Sequence, residues 1–457
     1  MNEPGIKNIH LIAIGGAAMH NMAIALHNKG FSVTGSDDEI FEPSRGRLMK
    51  HGLLPEQPGW YPSKITEDID AVILGMHARK DNPELLKAQE LGLKIYSYPA
   101  YIYEQTQRKK RAVIGGSHGK TTITSMIMHV LKNLQFSFDY LVGSIVEGFD
   151  AMVNLDPATG IAVIEGDEYL SSPLDPSPKF HHYKPHIAVI TGIAWDHVNV
   201  FPTLENYHQQ FNLFIDKIEP GGILFYYEND PVLREMVKKS RAPIKKTGYT
   251  MHPAKLQNDG TILLHGSKEY FVHFFGKHNL ENVMAAKLVC QQLGVNDSDF
   301  YQSIVSFKGA GKRLQLLEQN EHSKLFLDFA HSPSKLKATI EAVREQYPDQ
   351  KLIACMELHT FSSLQQSFLA EYKNSMKSAD IPIVFYLPDT VRHKKLELFN
   401  PNDVIHAFND KRIKVFTSAK KLQETLMSEN YNHTVLLLMS SGNFSGIDLK
   451  ALATKFR

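Results

Sequence analysis

A chain of 457 residues with 50 basic and 49 acidic side chains carries a formal net charge of +1, so no basic excess points to nucleic acid as a main partner. Hydrophobic residues make up 43%, enough to build buried cores in roughly three domains of ~150 residues each. Two cysteines, Cys290 and Cys355, exclude a disulfide scaffold and fit a reducing compartment. No run approaches the roughly 18 apolar residues that span a bilayer. The early run "IHLIAIGGAAMHNMAIAL" is broken by glycines and lacks a clear basic leader. It reads as strand plus helix rather than signal peptide, so no membrane insertion is expected and the cytoplasm is the expected compartment.

Residues 1–107 alternate short apolar runs with helical patterns. "NIHLIAI", "FSVTGSDD", "DAVILGM" and "KIYSYPA" are the strands, and 17–29 and 83–91 read as helices between them. That order predicts a parallel α/β sheet. The first strand runs into Gly15, Gly16 and Ala17. A dinucleotide fingerprint would need glycine at Ala13 and Ala18, so the match is incomplete. The turn still suits a diphosphate, and Ser36 or Asp37 after the second strand could bond a sugar or a base. The charged stretch "QRKKR" at 107–111 marks a domain boundary.

The second unit, 108–312, opens with "RAVIGGSHGKTTITSMIMHVL". Ala112 to Ile114 is an apolar run ending in Gly115 and Gly116. After Lys120, apolar residues at Ile123, Met126, Ile127, Val130, Leu131 and Leu134 mark one helical face. Strand, glycine turn and helix present backbone N–H groups at a positive helix end, a site for phosphate oxygens. Lys120 adds a point charge, and Thr121 can hold Mg²⁺. The strict phosphate-loop pattern would place glycine at Ile114, so "GSHGKTT" is a shortened variant. A mere glycine turn with an exposed lysine is the bland alternative, and the helix periodicity directly after Lys120 weighs against it.

Further strands end in polar residues. Glu165 closes "IAVIE" and, at the carboxyl end of a parallel strand, could reach a metal carried by a nucleotide or cap the next turn. Asp167 and Glu168 serve local hydrogen bonding or support the metal. Asp196 and His197 follow "HIAVITGIAW", where His197 could hold a second metal. Residues 261–276 alternate like a β hairpin, and "NLENVMAAKLVCQQLG" is a helix stopped by Gly294. His278, Asn279 and Asn282 stand at its start; an amide matches the edge of adenine, or simply caps the helix. "FKGAGKR" at 307–313 reads as a hinge, with Arg313 suited to a γ-phosphate in a closing cleft. From 313 the chain alternates again, with strands at "KLFLDFA", "KLIACME", "PIVFYL", "IKVF" and "TVLLLMS". Asp328 ends the first of these, before His331 and a helix begun by Pro333, and could bond a ribose hydroxyl or act as a cap.

Taken in order, "GSHGKTT", "EGDEY", "DH" at 196–197, "GKHNLEN", "GKR" and "LDFAHSP" resemble the Mur ligases of bacterial cell-wall synthesis along essentially the whole chain. The resemblance implies an α/β fold with three domains. A Rossmann-like N-terminal domain, 1–107, would bind a UDP-linked muramic acid compound through Gly15, Gly16, Ala17, Ser36 and Asp37. A central P-loop ATPase domain, 108–312, would bind ATP. A Rossmann-like C-terminal domain, 313–457, would bring in an amino acid or peptide. The ATP contacts implied are Gly116, Ser117, His118, Gly119, Lys120, Thr121, Thr122, His278, Asn282, Arg313 and Asp328. Mg²⁺ falls to Thr121, Glu165 and His197, and catalysis to Lys120, His197 and Arg313. The reaction implied is amide formation through an acyl phosphate, releasing ADP and phosphate, by a monomer or weak dimer.

Within the family, "IHLIAIGGAAMHNMA", "GSDD" and "GMHARKDNPELLKAQ" resemble the branch that adds L-alanine to UDP-N-acetylmuramate. "EGDEYLSSPLDPSPKFHHYKP" and "LMSSGNFSGI" resemble the branch that attaches a recycled cell-wall tripeptide. The N-terminal domain meets only the shared sugar half, so the later stretches carry more weight. The expected acceptor is the tripeptide, with L-alanine as the alternative. The proline-rich loop and Gly442 and Gly446 are read as the walls of an open peptide cleft. Departures from the family pattern are Gly115 and Ser117 where threonine is usual, and Ser332 where related branches carry a second histidine. Phe211 stands where other branches carry a carbamylated lysine. A nicotinamide oxidoreductase would leave Lys120, Glu165 and Arg313 without a role. A non-catalytic nucleotide-binding protein would leave the first glycine turn unexplained.

Overall fold

Short aliphatic runs become parallel strands along most of the chain, in a computed structural model that describes residues 7–195, 200–257, 259–311 and 313–457. The described residues form two compact units. One comprises 7–193, 203–250 and 285–303; the other comprises 194–195, 200–202, 251–257, 259–284, 304–311 and 313–457.

The first unit begins with a four-stranded parallel sheet, in the spatial order Ser32–Ser36, Asn8–Ile12, Ala71–Leu74, Ile95–Ser97. All four strands and the helices Ala17–Asn28 and Pro83–Glu90 lie where the patterning predicts. The second helix starts where Asn82 accepts the backbone N–H groups of Glu84 and Leu85, so two otherwise unpaired donors are satisfied. Ile12, Val72, Leu74, Leu85 and Ala88 share one buried core.

A seven-stranded sheet follows, in the order Lys245–Tyr249, Ile223–Tyr227, Ile187–Ile190, Lys110–Gly115, Ile161–Glu165, Asp139–Leu141, Val153–Asn154. Only the last pair is antiparallel. Lys110–Gly115 is central, and its two neighbours come from later in the chain on opposite sides. That is the switch point at which parallel α/β sheets open a crevice beyond their carboxyl ends.

The boundary stretch "QRKKR" is not a solvated linker. The side chain of Arg111 is 2% exposed. Its guanidinium donates to the carbonyls of Tyr183, Lys184, Thr106, Gln107 and Lys109 and to the Glu219 carboxylate. A buried cation is tolerable only when its donors are satisfied in this way. Lys109 is likewise buried, bonded to Asp139 and Thr159.

The second unit holds a three-stranded antiparallel sheet, Ala254–Gln257, Gly260–His265 and Lys268–Val272. The expected hairpin is there, with one more polar strand that patterning did not announce. Its six-stranded sheet runs Gln315–Gln319, Lys324–Asp328, Thr434–Met439, Lys351–Glu357, Ile381–Phe385, Lys414–Phe416. Only the first pair is antiparallel. Alternate residues feed two cores: Leu352, Ala354, Met356, Leu437 and Met439 face one side, and Ile353, Cys355, Leu436 and Leu438 the other. Burial on both faces is why these strands read as continuous apolar runs. Truncating Leu437 to alanine would cost about 2–5 kcal/mol. Among the described residues no helix is long and apolar enough to cross a membrane.

Candidate active site

The phosphate-loop segment is a strand, a four-residue turn and a helix. The strand ends at Gly115 and the helix begins at Lys120 and runs to Asn133. Gly119, at the helix cap, has φ +76°, and Gly116 has φ +114°. A Cβ on Gly116 would lie 2.3 Å from Thr191 Oγ1 and 2.5 Å from Thr191 N. Only glycine lets the loop lie this close to the neighbouring strand end. Ser117 N donates to Gly192 O at 3.0 Å, which ties the turn to the same segment. Thr121 and Thr122 are buried in the first helical turn.

Lys120 does not project into solvent. Its Nζ donates to Gly116 O at 2.7 Å and to Glu168 Oε2 at 2.6 Å. Burial pulls its pKa down, but the carboxylates of Glu168, Asp167 and Glu165 outweigh that and hold it above the usual lysine value. Thr121 Oγ1 donates to Glu165 Oε1 at 2.8 Å. The other oxygen, Glu165 Oε2, accepts Gly143 N at 2.6 Å. Lys120 and Thr121, adjacent in sequence, and Glu165, 44 residues further on, are thus one constellation at the carboxyl ends of adjacent strands. A hydroxyl beside a carboxylate is a hard-oxygen pair of the kind Mg²⁺ takes together with phosphate oxygens. Among the described residues no group of three or more His, Cys, Asp and Glu side chains could hold a metal alone.

Asp196 and His197 lie outside the described residues, as does Lys312. The other nucleotide candidates sit in the second unit. His278 lies in the first turn of the Lys277–Gln292 helix, which stops before Gly294, φ +95°. Burial holds its pKa below the usual histidine value against the opposing pull of Asp328. Asn279 donates to Phe275 O at 2.8 Å, and Asn282 Nδ2 lies 3.4 Å from Asn279 Oδ1. Asp328 is buried; it accepts Leu314 N at 2.6 Å and Ala330 N at 2.7 Å. It therefore fixes the segment after Arg313. The Arg313 guanidinium lies 4.7 Å above the centre of the Phe329 ring.

The first glycine turn is built differently. Gly15 N donates to Asp37 Oδ2 at 2.7 Å. Ala13 N and Ile14 N both donate to Ser36 O. Gly16 and Ala17 open the Ala17–Asn28 helix, which has no side-chain cap. Asp37 is 7% exposed, and burial, with Asp38 beside it, pushes its carboxyl up to about 6.

Sequence reasoning missed a cluster at the carboxyl edge of the six-stranded sheet. Glu357, 3% exposed, accepts the Ser440 hydroxyl and Phe444 N. Gly442 was expected to let a ligand approach. Instead a Cβ there would lie 2.9 Å from His359 Cγ and 3.0 Å from Glu357 Oε2, so the chain itself fills that space. The proline-rich loop is also closed on itself: Ser171 N donates to Ser177 O, and His182 pairs with Asp175 at 3.0 Å.

Three family descriptions match the chain in order. "Mur ligase family, catalytic domain" covers 8–110, "Mur ligase middle domain" 114–290, and "Mur ligase, glutamate ligase domain" 312–442. A UDP-N-acetylmuramate–L-alanine ligase of Caldicellulosiruptor bescii is 31% identical over 391 residues, 82% of each chain. That of Aquifex aeolicus is 29% identical over 391 residues, 83% of each. Among solved structures, the UDP-N-acetylmuramate:L-alanyl-gamma-D-glutamyl-meso-diaminopimelate ligase of Neisseria meningitides is 26% identical, with a TM-score of 0.60 over 66% of this chain and 98% of that one. The UDP-N-acetylmuramate–alanine ligase of Thermotoga maritima has a TM-score of 0.71 over 98% of each chain at 20% identity, a likeness of fold. With three models in register along its length and a relative 31% identical across most of it, this chain belongs to the Mur ligase family and is an ATP-dependent amide ligase of peptidoglycan synthesis.

Proposed function

We propose that the protein joins the carboxylate of UDP-N-acetylmuramate to the amine of L-alanine. The observation that carries the acceptor is the naming of its curated relatives: proteins 27–31% identical over most of the chain are UDP-N-acetylmuramate–L-alanine ligases. The tripeptide expected from two sequence stretches gives way to this reading; of the features behind it, Gly442 and the proline-rich loop are used internally, while Gly446 has open space beside it. It stays as a second reading on one observation, the tripeptide ligase from Neisseria meningitides at 26% identity.

Residues 1–107 bind the UDP-sugar, 108–312 the ATP and 313–457 the acceptor. Gly116, Ser117, His118, Gly119, Thr121 and Thr122 cradle the phosphates, while His278, Asn282 and Asp328 serve the nucleoside. Lys120 and Arg313 screen the two anions that must meet, the muramate carboxylate and the γ-phosphoryl group. Thr121 and Glu165 would hold Mg²⁺, and His197 would hold a second ion. When bound, Mg²⁺ neutralises charge on the transferring phosphoryl group. The resulting acyl phosphate is attacked by the acceptor amine, and phosphate leaves. Exclusion of water protects that intermediate, and 309–311 is the hinge that permits closure. The enzyme works in the cytoplasm as a monomer or weak dimer.

The test is phosphate release with UDP-N-acetylmuramate and ATP, comparing kcat/KM for L-alanine and for L-Ala-γ-D-Glu-meso-diaminopimelate. Preference for L-alanine is expected; preference for the tripeptide reverses the acceptor and leaves the ligase intact.

A further inference from the structure

A second network runs beneath the phosphate loop. Glu168 is fully buried and ionically paired with Lys120 at 2.6 Å. Its other oxygen lies 3.3 Å from the hydroxyl of Tyr207, which donates to it. The same hydroxyl lies 3.1 Å from Ser117 Oγ, inside the loop. Tyr207 is itself fully buried, in the Leu204–Asp216 helix capped by Thr203, and its ring meets Phe211 edge-on at 5.2 Å. Loop, tyrosine, carboxylate and lysine thus form a hydrogen-bonded chain: Ser117, Tyr207, Glu168, Lys120. Such a chain polarises along its length and has few alternative arrangements when buried.

An ammonium has three N–H donors. Two of those on Lys120 go to Gly116 O and Glu168 Oε2. Both acceptors are rigidly held, so the third N–H has a fixed direction. We propose that Glu168 and Tyr207 are positioning residues that aim Lys120 at the terminal phosphates and temper its charge between turnovers. The inference rests on the nucleotide-site reading above. It assigns Glu168 to the lysine rather than to the metal and gives Tyr207 a role that no motif announced.

The two jobs are separable. A neutral amide at 168 removes a buried negative charge that opposes incoming phosphate, so it tightens diphosphate binding. It also loosens the aim of Lys120, so it slows phosphoryl transfer. General damage to the fold would instead weaken binding and slow turnover together. Phenylalanine at 207 keeps the charge and the ring and loses only the hydroxyl.

Calorimetry on the full-length protein with ADP and with AMP, and turnover by phosphate release, test this. Glu168→Gln is expected to bind ADP about fivefold more tightly, leave AMP unchanged and lose about tenfold or more in kcat. Tyr207→Phe is expected to keep ADP affinity within about twofold and to lose about fivefold in kcat. Unchanged or weakened ADP binding by Glu168→Gln overturns the charge-tempering role. Unchanged kcat in Tyr207→Phe overturns the relay. Wild-type protein that binds no ADP overturns the nucleotide site itself, and this inference with it, without bearing on the choice of acceptor.

Discussion

Two turns in the first unit share one backbone plan and opposite electrostatics. Each leaves a central parallel strand through glycines and enters a helix, at Gly15–Gly16 and at Gly116–Gly119. At the second, an ammonium lies against the loop carbonyl of Gly116. At the first, a carboxylate accepts the loop N–H of Gly15. The glycines differ as well. Gly116 has a left-handed φ and no space for a Cβ beside backbone atoms, whereas the nearest atoms at Gly15 belong to the Asp37 and Ile40 side chains. A helix N-terminus alone therefore does not define an anion site. The side chain that reaches the turn decides what it receives and when.

The sharpest way to break the comparison is to remove its cation. Lys120→Ala is expected to keep the fold with a lowered melting temperature, because it leaves the buried Glu168 carboxylate without its cation, and to lower turnover about 10³-fold or more, read as phosphate release. Near-normal turnover in the folded variant would remove Lys120 from the catalytic residues. Glu165→Ala and His197→Ala come next. Each is expected to lose about 10²-fold, with partial recovery as Mg²⁺ is raised. Variants whose Mg²⁺ dependence matches wild type would remove both residues from the metal site.

Backbone substitutions sharpen the contrast between the turns. Gly116→Ala forces a Cβ against Thr191 N and is expected to destabilise by about 3 kcal/mol or more. Gly15→Ala displaces only side chains and is expected to cost about 1 kcal/mol. Equal losses of melting temperature would erase the distinction drawn from φ.

The smallest effect concerns charge. Burial raises the Asp37 carboxyl from 3.8 to about 6, so between those values the folded protein binds more protons than the unfolded chain. Asp37 thus contributes stability that is present below about pH 4 and lost as pH rises through 6. Asp37→Asn is expected to flatten that decline, on the order of 1–2 kcal/mol with Asp38 titrating beside it. A pH profile of chemical denaturation that keeps its wild-type slope in the variant would show that Asp37 is not the group concerned.

What sequence reasoning could read follows from where the partners lie. The Lys120 loop was legible because strand, glycines, lysine and helical face are contiguous. The six-stranded core was legible because strands buried on both faces are apolar at every position. Polar edge strands such as Ala254–Gln257 and Gln315–Gln319 bury little and leave no periodic trace. The Glu168–Lys120 pair spans 48 residues, Tyr207–Glu168 spans 39 and Ser440–Glu357 spans 83. Only folding brings them together, and no spacing rule reports such a contact. Gly442 shows the converse error, a glycine whose empty side is occupied by its own chain.

The buried guanidinium of Arg111 has a practical consequence. Five main-chain carbonyls and Glu219 converge on it from 106–109, 183–184 and 219. That junction is a weld, and trypsin should pass over it while the native protein stays intact. Anyone grafting a different sugar-binding segment onto this chain would need to carry the Arg111 carbonyl cage along with it. A cut at the obvious basic stretch would leave a charged side chain stranded in the interior.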